Sequence, residues 1–409
     1  MKGAVLLALF GPGLLLAATG VGAGDLATAA FAGDRLGTSV LWAAALGALF
    51  KFTINEGLAR WQLASGETFL EGVASRLGRG WLWLFLPYLL LWSYFVGAAL
   101  ISACGVAAQA LWPLGDDAVA GKRFWGVVHA LLGLALVWWG GFRVFEWVMR
   151  VCIGLMFVVV IGTAVRLWPG AAEVVSGLWP RLPTTTEGLS WTLALIGGVG
   201  GTLTVLCYGY WMRAAGRSGV ESLRATRIDL AAGYAMTALF AMAMVVIGSR
   251  VPVAGSGASL VVDLGRALES ALGPGARWAF FVGAWGAMFS SLLGVWQAVP
   301  YLFADLWRVL RRAPAATPVE LERSRAYRGY LLALGTLPML GLAFSFESIQ
   351  KLYAMIGAVF VPVLALALLW MNGRRAWVAA ARNGMLAVPA LLGALAFFIW
   401  MARSGVAAG

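Results

Sequence analysis

Apolar runs of about twenty residues recur along the whole chain, separated by short polar or basic connections. A run of that length and character spans a bilayer as a helix. Eleven are predicted, at roughly 6–31, 38–60, 81–111, 124–140, 145–168, 190–212, 228–249, 276–307, 328–345, 349–371 and 384–402. Two of them are interrupted. The first, Leu6 to Phe31, carries Gly20, Gly22 and Gly24 at every second position, then the lone carboxylate Asp25. The sixth carries Gly197, Gly198, Gly200 and Gly201 in mid-span, with Gly209 following. Each Gly weakens a helix by about 1 kcal/mol relative to Ala, so both runs are expected to unwind into two half-helices. Breaks at lipid depth need protein or water to satisfy the freed backbone groups. In transporters such breaks build the substrate site.

The interruptions are five spans apart. Spans three and eight, Trp81–Trp112 and Ala276–Trp307, are both overlong at the same offset. At 1.5 Å per residue they reach about 45 Å and must tilt. Two five-span halves, 6–168 and 190–371, are then inverted relative to each other, with 384–402 as an extra helix, all in one transmembrane domain. Glycine-rich spans also occur simply as close-packing helices, but the matched offset favours the repeat.

Composition agrees: 61% of residues are hydrophobic and 12% charged, against about a quarter charged in soluble proteins. The net charge of +12 is not read as nucleic-acid binding, because the basic residues fall in short connections. One alternate set holds Arg60, Arg76 and Arg79, then Arg213, Arg217, Arg224 and Arg227, then Arg308, Arg311 and Arg312; the other set is sparser. The positive-inside rule puts the Arg-rich set and the N-terminus in the cytoplasm and the C-terminus outside. Lys2 and the apolar run after it resemble a signal peptide, but the run continues to Phe31, so a first span is expected. Trp81, Trp112, Trp139, Trp168, Trp179, Trp307, Trp370 and Trp377 lie near span ends, as an interfacial belt does. Cys104, Cys152 and Cys207 lie within spans without metal-ligand spacing. No HExxH, histidine cluster or nucleophile–base pair is legible and His129 is the sole histidine, so an enzyme is the weakest class and no cofactor is expected.

The first-span framework Gly11-Pro-Gly…Ala27-Thr28…Gly33…Leu41-Trp42 resembles the Nramp family of proton-coupled divalent-metal transporters. Glu56-Gly-Leu-Ala-Arg60, Ser65-Gly66 and Ile228-Asp229 extend the similarity over most of the chain. The resemblance implies an all-α, LeuT-like fold with inverted five-helix repeats and broken helices 1 and 6. It also implies a secondary transporter, a symporter in the usual family pattern. The departures are pointed. The family's Asp-Pro-Gly-Asn, whose Asp and Asn bind metal, is matched by Gly22-Ala23-Gly24-Asp25. Its Met-Pro-His, whose Met sulfur is a ligand, is matched by Leu206-Cys207-Tyr208, and its second His by Arg213. The acids of the third span are absent from Leu89–Gln109. The resemblance therefore implies a relative of altered substrate or coupling.

The residues that remain can still hold a cation. Asp25, backbone carbonyls of Gly20, Val21, Gly22, Gly200 and Gly201, and the hydroxyls of Thr202 and Thr204 form an oxygen-only set. Such a set favours hard divalent ions such as Mg or Mn, with Asp25 as the tentative metal ligand. Asp25 also suits a cap on the half-helix from Leu26 onward. Cys207 offers a soft replacement for the missing Met. Glu56 is the best relocated proton or ion carrier, paired with Lys51 or Arg213; snorkelling to the interface is its bland alternative. Gln297, on the eighth span beside Ser290-Ser291, is a cavity-lining candidate, and Asp229 suits a pair with a loop Arg. The alternative is a small organic solute, an amino acid or amine, held by the half-helix N-termini and enclosed by Tyr208, Tyr210 and Trp211. A non-transporting sensor is a third class. A small polar pocket at Asp25 favours the cation, a larger cavity walled by Tyr208 and Trp211 the solute, and a packed midplane without a vestibule the third. The partners expected are the lipid bilayer and a small cation or small-molecule substrate, with no nucleic acid; a monomer suffices.

Overall fold

In this computed structural model residues 11–253 and 259–403 are described, and every regular element among them is helical. Lys2 and positions 6–10 of the first predicted span lie outside them. The first span is two half-helices, Gly11–Gly20 and Ala23–Leu36, parted at Val21 and Gly22. The sixth is Thr186–Gly198, a non-helical stretch at 199–202, a 3-10 turn Leu203–Cys207 and the short helix Tyr208–Ala214. Both breaks thus fall at the glycine clusters.

Leu41–Ser65 and Gly80–Leu111 follow the first span. The run Ala118–Arg166 holds spans four and five, turned at Gly141, whose φ of 65° interrupts the helical path. Leu223–Arg250, Pro274–Leu310, Arg325–Thr336, Phe346–Met371 and Ala387–Arg403 complete the series, the ninth continuing as the 3-10 stretch Leu337–Ala343. Among the described residues, seven helical runs are long and apolar enough to cross a membrane. Two of these, Asp25–Ser65 and Ala118–Arg166, each join parts of two predicted spans, while the eleventh is a shorter apolar helix. The third and eighth spans have 32 and 37 residues, or roughly 48 and 56 Å.

Those two long helices pack on each other and on the 118–166 run, while the seventh packs on both halves of the first and on the second. The seventh sits so close to the first that a Cβ on Gly248 would lie 2.1 Å from the Ala30 carbonyl oxygen, the small-residue contact typical of membrane helices. Outward, Trp81, Leu84, Trp139 and Val158 are exposed, a rim suited to lipid and not to water.

Candidate functional site

The two breaks touch. A Cβ on Gly20 would lie 3.2 Å from the Gly200 carbonyl carbon. Gly200 and Gly201 take φ of 85° and 76°, a left-handed turn that only glycine adopts cheaply. The freed carbonyls of the first break are largely satisfied by the eighth span. Ser290 Oγ donates to Ala18 O at 3.0 Å, and Ser291 Oγ to Thr19 O and Val21 O, both at 3.0 Å. Gly22 O accepts from Leu26 N at 3.1 Å. Of the three first-break carbonyls expected as ligands, Val21 and Gly22 are therefore engaged inside the protein. Serines at the break and the restart of the helix have taken them.

Asp25 uses its two oxygens differently. Oδ2 accepts from the Gly22 backbone N–H at 3.3 Å, capping the second half-helix. Oδ1 has no hydrogen-bond partner, although the residue is only 8% exposed. It faces the second break, 3.8 Å from where a Cβ on Gly198 would stand. An unpaired carboxylate oxygen at that depth is expensive, and the arrangement makes sense where a ligand completes it.

Lys51 reaches the same place from the second span, with 1% of its surface exposed. Its ammonium donates to Gly197 O at 3.4 Å and to Gly201 O. Its charge acts on Asp25 across the site. Thr204 Oγ1 lies against Gly201, 2.6 Å from that glycine's missing Cβ. Thr202 Oγ1 instead accepts from Trp92 Nε1 at 3.2 Å. Tyr353 of the tenth span neighbours both Thr202 and Asp25 and lies beside Trp92, the ring centroids 6.2 Å apart. Sequence reasoning missed Trp92 and Tyr353. A signal existed for Trp92, which lies in mid-span, away from the interfacial belt. Among the described residues no three His, Cys, Asp or Glu side chains come together as a metal cluster, and the oxygens described beside Asp25 are neutral carbonyls and hydroxyls.

Several expected residues lie elsewhere. Tyr208 OH donates to Asp229 at 2.9 Å, Tyr210 OH to Asp305 at 2.8 Å, and Trp211 Nε1 to Gln297 Oε1 at 2.6 Å. These rings and Gln297 are bonded to partners of their own, away from Asp25. Cys207 is buried at the junction with the Tyr208–Ala214 helix. Glu56 meets neither Lys51 nor Arg213; it pairs with Arg60 at 3.1 Å and Arg227 at 2.8 Å, because it faces away from the Lys51 side of its helix. Arg213 donates to Gly66 O at 2.7 Å. His129 is held between Trp125 O and Trp285 Nε1, so both ring nitrogens are occupied.

Ion pairs tie the Arg-rich end of the bundle together. Asp229, fully buried, accepts from Gly13 N, Tyr208 OH and Arg217, the last at 2.8 Å. One carboxylate thus ties the start of the first half-helix to the short helix of the sixth span. Asp305 and Glu71 share Arg308, at 2.6 and 2.5 Å. At the other end the pairs Arg250–Glu173 and Arg35–Glu187 are exposed. Two cavities, of about 260 Å³ beside Trp138 and Tyr327 and about 10 Å³ beside Gln62 and Tyr210, both lie away from Asp25.

Glu71 gives this end an acid sensitivity. Burial pushes its carboxyl up, but the Thr68 backbone N–H and the Arg308 guanidinium outweigh that and hold it below its usual 4.5. A depressed carboxyl stabilises the fold above its unfolded value and loses that contribution as pH falls through the folded one. Thermal midpoints of the purified protein should therefore drop as pH falls below about 4.5, and Glu71→Gln should flatten that limb. An unaltered acid limb in the variant would show that Glu71 does not drive it.

The Natural resistance-associated macrophage protein-like (Nramp) family description matches residues 13–406. The chain belongs to the Nramp family. No curated protein matches it in sequence. Among solved structures it is similar to the Eremococcus coleocola manganese transporter in complex with an aromatic bis-isothiourea substituted compound. The TM-score is 0.77 at 16% identity, over 99% of this chain and 88% of that one. It is also similar to MhsT in complex with L-phenylalanine (TM-score 0.60, 17% identity, 96% of this chain and 98% of that one). A third likeness is Mhp1, a nucleobase-cation-symport-1 family transporter (TM-score 0.58, 13% identity, 98% and 92%). These likenesses define a LeuT-like fold. As an Nramp protein of that fold, the chain is a multi-pass membrane transporter of the metal-ion class.

Proposed function

We propose that this Nramp protein moves a hard divalent cation, Mn²⁺ or Mg²⁺, by alternating access through a site between the first and sixth breaks. The observation that carries the reading is the buried, unpartnered Oδ1 of Asp25 aimed at the second break. The Gly197 and Gly201 carbonyls and Thr204 Oγ1 supply neutral oxygens beside it, the ligand chemistry hard cations prefer. The Eremococcus coleocola relative, a manganese transporter by its description, makes Mn²⁺ the first ion to try. The organic-solute alternative is weaker, because Tyr208 and Trp211 are bonded to Asp229 and Gln297. The buried charge pairs at the Arg-rich end fit a stage closed on that side, as alternating access requires. We take that side as cytoplasmic, with the N-terminus inside, the C-terminus outside, and 6–168 and 190–371 as the inverted halves.

The test is uptake into proteoliposomes of Mn²⁺, Mg²⁺ and Ca²⁺, with and without a pH gradient. Uptake of Mn²⁺ or Mg²⁺ above protein-free vesicles is the expected result. No uptake of either ion by protein shown to be folded would overturn the reading.

A further inference from the structure

The larger of the two cavities lies at the Arg-rich end and shares no residue with the cation site. The end of the fourth span gives it Trp138, the helix Pro318–Arg323 gives it Glu322 and Arg323, and the ninth span gives it Tyr327 and Arg328. Its polar wall is unevenly satisfied. Tyr327 OH donates to Gln297 O at 3.1 Å, and Glu322 Oε2 accepts from Tyr301 OH at 3.0 Å. Arg308, at the head of the same connection, holds two carboxylates. Arg323 and Arg328 hold none, and among the described residues neither guanidinium has a hydrogen bond. Arg328 has only the face of Trp138, 5.8 Å from the ring centroid. Like charges facing one cavity favour an anion between them, and the planar fork of Arg suits phosphate oxygens in particular. Two arginines less one glutamate leave the lining with one net positive charge, the complement of a phosphodiester's single negative charge.

The surroundings narrow the anion to that of a lipid. Trp138 is 39% exposed and Trp139, which follows it, 80%; tryptophans presented in this way sit at headgroup level. Val319, in the lining, and Leu332, next to the lining Leu331, are exposed as well, so acyl chains have apolar side chains to run along. At about 260 Å³ the cavity is smaller than the roughly 300–1,000 Å³ that encloses a whole small ligand. It takes a head and leaves the tails outside. We propose that this cavity binds the phosphodiester head of an anionic phospholipid, held by Arg323 and Arg328 beside the ring of Trp138. The bound lipid joins the fourth span to the ninth, and the inference stands independently of the cation reading. A zwitterionic lipid carries the same phosphate with a cation attached, which the positive lining disfavours.

Native mass spectrometry of the full chain in detergent, titrated with phosphatidylglycerol, phosphatidylcholine or inorganic phosphate, reads occupancy directly. A first phosphatidylglycerol should be retained at concentrations where phosphatidylcholine is not. Arg323→Gln combined with Arg328→Gln should weaken it by about fivefold for each arginine lost, the worth of one basic side chain at an anionic surface. Arg311→Gln combined with Arg312→Gln, exposed arginines outside the lining, should leave that lipid in place. Glu322→Gln keeps an acceptor for Tyr301 and removes the one negative charge, so it should tighten binding by about fivefold. That gain keeps the proposal testable if the double variant folds poorly. Equal retention of the two lipids would overturn the proposal, and so would undiminished binding by the Arg323 and Arg328 variant. An equal loss in the Arg311 and Arg312 variant would reduce the effect to diffuse charge and overturn the site. No gain in Glu322→Gln would also count against it. Inorganic phosphate that binds and displaces phosphatidylglycerol would keep the anion chemistry and overturn the lipid as its source.

Discussion

Asp25→Asn should abolish cation uptake while leaving the fold in place. The two oxygens of Asp25 separate its roles. Oδ2 caps the half-helix through Gly22 N, and Oδ1 is buried without a partner. Asparagine keeps a cap oxygen, since Asn and Asp are comparable N-caps, but it removes the negative charge. If capping were the whole role, Asn would transport normally and Ala would lose about 1 kcal/mol of helix stability. If Oδ1 is the ligand, Asn and Ala both fail to transport, and they differ only in stability. The loss should exceed the roughly 10–100-fold seen when an outer-shell partner of a metal is removed. Uptake and thermal stability measured on the same preparations decide the matter. Near-normal uptake by Asp25→Asn would reduce Asp25 to a cap.

Asp229→Ala should destabilise the protein by about 3–5 kcal/mol, the usual result of removing one partner from a buried ion pair. Asp229 is fully buried and receives Gly13 N, Tyr208 OH and Arg217. Its loss removes a fully buried carboxylate from the Arg217 guanidinium and unpins both half-helices at the Arg-rich end. No side chain on Gly13 can fill the gap by substitution, because a Cβ there would meet Asp229 O at 2.3 Å. The expected readouts are a lower midpoint in chemical denaturation and faster maleimide labelling of Cys207. Cys207 is buried just before the Tyr208–Ala214 helix; Cys104 and Cys152 are first replaced by serine. Unchanged stability and unchanged labelling would show that the end is held shut by other contacts, with the Asp305–Arg308–Glu71 group the first to test.

The spans were legible because hydropathy over some twenty residues is a local property, and the breaks because glycine clusters act locally as well. Asp25 was legible for the same reason, as a lone carboxylate in an apolar run. Its neighbours were harder. Lys51 and Glu56 stand five residues apart on one helix, and their spacing puts them on different faces. Which face meets the sixth break and which meets Arg227 depends on how the second span rotates against its partners, and no local pattern records that. Tyr208 is a candidate to enclose a substrate as an aromatic beside the sixth break, and Gln297 is a cavity candidate as a polar group in the eighth span. Their need for a hydrogen-bond partner is met just as well by Asp229 and Trp211. The serine pair at 290–291 is visibly polar, but its acceptors on the first break lie 270 residues and more away in sequence, so its function as a clasp there emerges only from the tertiary structure.

The paired left-handed glycines of the second break bear on how this site can change over generations. Gly200 and Gly201 present only backbone oxygens, and at both positions any side chain would be strained whatever room it had. The loop is thus fixed in composition by its shape. On the proposed cation site, the choice of ion would fall to the side chains beside the loop, at 25, 51 and 204. On that reading, exchanges at those positions would retune the site, while the half of it made of backbone would pass down unaltered.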